Sequence, residues 1–268
     1  MEGLPVIQRQ SAPDRLNGDD RQPTYTPGYS APVLTFMKQR TAEIHAAFFA
    51  PHLKKGCRLL DAGCGPGSIT LGLARQVAPG QVIGIDIDIE ESQFAIAREQ
   101  AQQESLPVEF QKASIYALPF ASASFDAVFS HAVFQHLADP VLALIELNRV
   151  LKPGGIIGIR AADSGGILLD ADSDGPTEGL AAYFANRAND GVDPNVGRKL
   201  GRLLRTAGFK VQQITASYEV ISDLIKRLGP ALDASCCPSC SLEGGDNPDD
   251  SLFVALAWCE AIGIRMPL

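Results

Sequence analysis

Apolar positions along the chain change period several times, and each change marks an element. Between residues 33 and 50, Val33, Phe36, Met37, Ile44, Ala47 and Phe48 recur near the helical period and predict a helix that Pro51 ends. From residue 57 onward, short apolar runs alternate with helix-period segments. Cys57–Ala62, 81–86 (QVIGID), 108–111, 125–130 (FDAVFS) and 156–160 predict strands. Residues 68–77, 90–104 and 140–150 predict the intervening helices, the last opened by Asp139 as N-cap and Pro140 at the first position. Pro79-Gly80 and Pro153-Gly154-Gly155 are turn signals. This β-α-β-α order predicts an α/β fold with a doubly wound, mostly parallel sheet.

The pattern loosens on either side. Residues 1–35 are polar and rich in Pro, Gly and Asp, and predict an N-terminal tail or lid in which Tyr25 and Tyr29 can fold over a neighbour. Residues 36–268 form one domain with a core at 57–163. Residues 163–178 predict a loop, 178–189 and 195–207 predict helices, and Gly208 a C-cap. The stretch 164–195 forms an insertion on the substrate side, and 229–250 a variable cysteine-containing segment. Residues 209–220 predict a strand; the continuous apolar run 252–264 fits strand or helix equally.

The chemistry concentrates at Asp61-Ala62-Gly63-Cys64-Gly65-Pro66-Gly67, between the first strand and its helix. Gly63 and Gly65 allow close approach of a ligand to the backbone, and Gly67 lets helix and strand pack tightly. A tight turn without ligand would use the same residues. The spacing Gly-x-Gly-x-Gly differs from the dinucleotide pattern Gly-x-Gly-x-x-Gly. Asp61 would repel a pyrophosphate and attract a cation. Asp86, at the carboxyl end of the second strand, is placed to accept from two ribose hydroxyls, with Ile87 against the base. A capping role is its bland alternative.

Charge narrows the partners. The net charge of −8 and pI near 5.0 disfavour nucleic acid. The apolar runs are too short to span a bilayer, and the N-terminus lacks a signal-peptide pattern, so no stable membrane insertion and a cytoplasmic location are expected. Oligomeric state is not readable. Cys57 and Cys64 read as reduced, packed thiols. Cys236, Cys237 and Cys240 could bind zinc or arsenite, or be three thiols in a loop; no nearby His completes a zinc set, so no metal is expected.

Four segments, LLDAGCGPGSIT (59–70), VIGIDID (82–88), ALPFASASFDAVFSHAVFQHLADP (117–140) and ELNRVLKPGGIIGIRAAD (146–163), resemble the class I S-adenosylmethionine-dependent methyltransferases. The likeness is to the ubiquinone/menaquinone-type small-molecule subgroup. It implies a seven-stranded, Rossmann-like sheet ending in an antiparallel strand pair, with S-adenosylmethionine as cofactor and S-adenosylhomocysteine as product. It implies Gly63, Cys64 and Gly65 at the methionine end with Asp61 nearby, Asp86 on the ribose, and Ile87, Ser114 and Ile115 around adenine. Ser114 stands where many relatives have Asp. Ser130 and His131 would approach the methionine portion, Arg40 the cofactor carboxylate, and Tyr25 would close over it. The acceptor would be a quinone-like or natural-product C-, O- or N-nucleophile. His131 and His136 are the candidate general bases, with a structural role for His136 beside Asp139 as its alternative. A non-catalytic cofactor-binding protein and an NAD-dependent oxidoreductase are the competing readings.

Overall fold

In the computed structural model, residues 29–170, 191–220 and 253–267 are described. Residues 1–28 of the N-terminal tail, with Tyr25, the helix expected at 178–189 and the Cys236, Cys237, Cys240 segment lie outside the described residues.

Apolar alternation yields the sheet. β1 (Leu59–Ala62) and β2 (Val82–Asp86) are buried at every position, as strands covered on both faces must be. β3 (Val108–Lys112), β4 (Phe125–His131) and β5 (Leu151–Ala162) complete a parallel set in the order β3-β2-β1-β4-β5. β8 (Phe253–Arg265) runs antiparallel to β5, and pairs on its other edge with β7 (Phe209–Val220). The expected antiparallel C-terminal pair is therefore present, and 253–265 is strand.

The sheet has eight strands, not seven. The extra one, β6 (Leu168–Asp170), falls in the segment expected to be loop. β8 extends past the end of β5, and its free backbone groups at Phe253–Ala255 are taken up by β6. Pro153-Gly154-Gly155 is likewise not a turn but a bulge inside β5. Phe125 faces Leu151 while Ala127 faces Ile156, and Gly154, with φ +78°, absorbs the excess.

α3 (Ser68–Val77) and α4 (Glu91–Gln103) lie close to their expected bounds, as does α5 (Pro140–Val150), whose N-cap Asp139 accepts from the Leu142 N–H at 3.0 Å. The helix expected over 33–50 is broken into α1 (Ala31–Lys38) and α2 (Ala42–His45), and Pro51 sits inside a short 3-10 turn. The break falls at Thr41, which is extended and gives its N–H to His45 Nδ1 at 3.1 Å. It lets Ala42 press against Gly72 of α3, where an added Cβ would lie 2.5 Å from the Ala42 methyl. The helix expected over 195–207 starts late, as α6 (Leu200–Thr206), because a 3-10 turn at Gly197–Lys199 holds the chain against the end of β5. Gly208, φ +86°, follows it as the left-handed stop.

Two apolar layers result. α5 and α6 cover one face of the sheet through Leu144, Leu147, Leu200 and Leu204; α2, the turn after it and α3 cover the other through Ala42, Phe49, Ile69 and Leu73. The order in which strands are added reverses at β1, the strands staying parallel: β2 and β3 lie on one side, β4 and β5 on the other. The carboxyl ends of β1, β2 and β4 therefore enclose the switch-point crevice where α/β sheets hold ligands.

Gly67, φ +87°, caps α3, and a Cβ there would stand 2.7 Å from the Phe110 ring. Gly67→Ala is expected to lose about 1–3 kcal/mol by combined backbone strain and overpacking, read from urea denaturation. An unchanged midpoint would contradict the close packing.

Candidate functional site

The crevice is walled by the loop after β1, the end of β2, and the segment after β4. Asp61, Gly63, Cys64, Gly65, Asp86, Ile87, Ile115, His131 and His136 all line it, as does Arg40 from the turn after α1. The loop is held from behind: the N–H groups of Gly63 and Cys64 both donate to the Ile85 carbonyl, at 2.8 and 2.9 Å. Gly63, φ +83°, admits no side chain, since a Cβ would lie 2.1 Å from Val133 Cγ2. At Gly65, φ +52°, an added Cβ would instead occupy cleft space, its nearest neighbour being Met37 Sδ at 3.8 Å.

Two carboxylates dominate the electrostatics. Asp86, 8 % exposed, accepts from the Gly65 N–H (2.9 Å) and the Tyr29 hydroxyl (2.8 Å). Burial pushes its carboxyl up, against those hydrogen bonds. Asp61, 2 % exposed, accepts from Thr70 Oγ1 at 2.6 Å. Burial, with a smaller push from Asp86, raises its carboxyl to about 7. Neither forms a salt bridge to Lys or Arg among the described residues. Burial thus favours the neutral form of both acids, and a cation bound beside them would favour the ionised form.

The opposite wall carries the histidines. β4 ends at His131, and the next residue, Ala132, is forced to φ +59° while its N–H bonds the Arg160 carbonyl at 2.9 Å. Strain of this kind at a non-glycine residue marks a place where the chain must be aimed. His131 is buried between the rings of His45 (5.1 Å) and Trp258 (5.0 Å), and burial holds it well below the usual imidazole range, helped by Arg40 and Arg160. It is neutral at pH 7. His136, on a 3-10 turn (Phe134–His136), is partly exposed and faces the same cleft.

Most of the expected residues therefore converge. Two do not reach the cleft. Ser130 is fully buried and donates to the Ala62 carbonyl at 2.8 Å, tying β4 to β1. Ser114 forms a tight turn in which its Oγ accepts from the Tyr116 N–H at 3.3 Å, while Ala113 and Ile115 on either side of it line the cleft. Arg40 stacks over Phe36 at 4.8 Å. Tyr25 lies outside the described residues; Tyr29 is the tail residue observed at the site. Sequence reasoning missed Met37, Ile69, Ala132, Val133 and Leu137 as lining residues. Their apolar spacing marks helix or loop packing and carries no sign of a cleft. No group of His, Cys, Asp and Glu suited to a metal occurs among the described residues, and none of the described helices is long and apolar enough to cross a membrane.

Comparison with known proteins agrees with this geometry. Residues 60–159 match a methyltransferase domain model. An uncharacterised methyltransferase of Schizosaccharomyces pombe is 38 % identical over 201 residues, 72 % of this chain and 71 % of that protein. A probable methyltransferase of Aspergillus luteorubrus is 37 % identical over 51 % of this chain and 50 % of its own length. The ubiquinone biosynthesis O-methyltransferase of Dinoroseobacter shibae is 35 % identical over 45 % of this chain and 47 % of its own. This chain thus spans about half the length of the latter two relatives. Among solved structures, the YcgJ protein of Bacillus subtilis shares the fold at a TM-score of 0.61 and 21 % identity, covering 84 % of this chain and all of that one.

The Asp61 acid gives a pH test. Its folded value, about 7, lies above the unfolded 3.8, so its contribution to stability is whole below 3.8 and is lost as pH rises through 7. Asp61→Asn is expected to gain on the native protein by up to about 4 kcal/mol between acid and neutral pH. Urea denaturation across that range measures it, and parallel pH profiles for the two proteins would refute the burial argument.

Proposed function

Since this chain belongs to the class I S-adenosylmethionine-dependent methyltransferases and takes S-adenosylmethionine as its cofactor, we propose that the crevice holds that cofactor and that the acceptor is a small quinone-like or natural-product molecule. The observation that carries the placement is the pair of buried carboxylates at the ends of β1 and β2. A sulfonium and an ammonium without phosphate complement that potential; a pyrophosphate does not. Asp86 receives the two ribose hydroxyls, one of them in the position the Tyr29 hydroxyl now holds. Gly65 leaves room beside it, and Ile87 and Ile115 supply apolar walls for adenine. Gly63, Cys64 and Asp61 face the amino-acid end, with Arg40 near its carboxylate.

Bound there, the cofactor supplies an activated methyl group that is displaced in line, leaving a neutral thioether. The protein's work is then to align the acceptor, exclude water and remove a proton where the acceptor carries one. His131, neutral and at the cleft wall, is the candidate base; His136 is the alternative. Names of relatives such as the ubiquinone O-methyltransferases support a ring-bearing acceptor.

Calorimetry with S-adenosylhomocysteine and with NADH tests the placement. The homocysteine product is expected to bind and NADH not to. Asp86→Ala is expected to weaken the product by roughly 10–100-fold through loss of charge-assisted hydrogen bonds. NADH binding in place of the product would overturn the reading.

A further inference from the structure

A second cavity opens at the edge of the sheet opposite the cofactor crevice. It holds about 550 Å3, a volume ordinary for a small-molecule site. Its walls come from Lys54–Cys57 before β1, Asp126 at the start of β4, Lys152–Ile156 in the first part of β5, and Ile264 near the end of β8. The crevice lies at the carboxyl ends of the parallel strands and this cavity at their amino ends, with β1 and β4 running between them. No residue lines both.

Local sequence builds the cavity. Gly56, φ +82°, turns the chain between Lys55 and Cys57. The bulge in β5 carries Lys152, Pro153, Gly154 and Gly155 out of register with β4. A Cβ added at Gly56 or at Gly154 would meet nothing within 4 Å, so both glycines border open space. The floor is apolar. Leu53, Cys57 and Ile156 pack against the core beneath it, and burial pushes the Cys57 thiol up, so that it stays neutral.

The rim is cationic in a chain whose acids outnumber its bases 31 to 23. Asp126 is the one carboxylate on it, and it is already answered: Lys152 Nζ donates to it at 2.7 Å and the Arg58 N–H at 2.9 Å. Against burial, these two hold its carboxyl below the usual range. Lys54 and Lys55 are exposed and form no salt bridge or side-chain hydrogen bond among the described residues. Arg75, Arg98 and Arg149, by contrast, each find a carboxylate on the same acidic surface. Two positive charges are therefore left over at a concave, apolar-floored site.

We propose that this cavity binds a small organic phosphate with an apolar carbon skeleton, at a site separate from the methyl-transfer crevice. The proposal goes beyond the methyltransferase reading and does not depend on it. A phosphate monoester carries close to two negative charges at neutral pH and above, which balances Lys54 and Lys55 together. A monocarboxylate would leave one of them unmatched. Lysine ammonium groups meet phosphate as point charges, without the planar fork that favours carboxylates. The carbon skeleton lies over Leu53, Cys57, Ile156 and Ile264 and gains by leaving water. The cofactor crevice has the opposite character, with two buried acids at its strand ends, so the same phosphate is not drawn there.

Calorimetric titration of the native protein at about pH 8 with phenyl phosphate tests this. One site of submillimolar affinity is expected, at least about tenfold tighter than for phenol, which lacks the charge, or inorganic phosphate, which lacks the ring. S-adenosylhomocysteine is expected not to displace it. Lys54→Gln combined with Lys55→Gln is expected to weaken phenyl phosphate about tenfold or more. Lys38→Gln combined with Lys112→Gln removes the same charge from exposed positions near the cofactor edge, and is expected to change the affinity by less than about twofold. No binding at millimolar phenyl phosphate would overturn the site, as would equal weakening by the two double variants. Displacement by S-adenosylhomocysteine would place the phosphate in the crevice and overturn it as well. Inorganic phosphate binding as tightly as the phenyl ester would overturn the assignment to an organic ligand.

Discussion

Two carboxylates are buried at the carboxyl ends of neighbouring parallel strands, and much of the site's construction answers to them. An ionised carboxylate in such a place is costly unless a cation or a set of donors meets it. Thr70 from the first turn of α3 meets Asp61; the Gly65 amide and the Tyr29 hydroxyl meet Asp86. These donors satisfy hydrogen bonding but bring no positive charge. In the proposed placement a cation beside them would hold both acids ionised, and the glycine loop, with its amides turned inward to Ile85 and Asp86, would suit a sulfonium better than a phosphate.

The same edge of the sheet has a second half with a different balance. Beyond β4 the acids are matched: Arg160 bridges Glu219 and Glu260 under Trp258. His131 joins the two halves. It ends the strand that faces the cleft, and its register partner on β5 is Arg160. The left-handed backbone at Ala132 turns the chain sharply after it, so that Val133 closes over Gly63 while His131 stays against Trp258. One wall thus faces two buried acids on one side and a paired ionic array on the other.

Much of this was legible in the sequence because it is local. A strand, a glycine loop and a helix lie within twenty residues, and the carboxyl end of β2 follows at a distance set by one helix. Apolar alternation therefore put Asp61, Gly63, Gly65 and Asp86 at the strand ends where the cleft forms. The same locality misled at Ser130 and Ser114, which sit in the right segments but turn their hydroxyls to backbone. It misled again over 33–50, where continuous helical periodicity hides a break that only packing against Gly72 explains.

What the chain by itself determined was the parallel α/β core, the glycine loop and its two acids, because backbone periodicity and short-range spacing fix which residues end each strand. Tertiary structure alone decided that Tyr29 meets Asp86, and that Arg160 meets Glu219 and Glu260. These partners lie 57, 59 and 100 residues apart. Pairing at such separations depends on strand order and register across the sheet, and no local pattern encodes it.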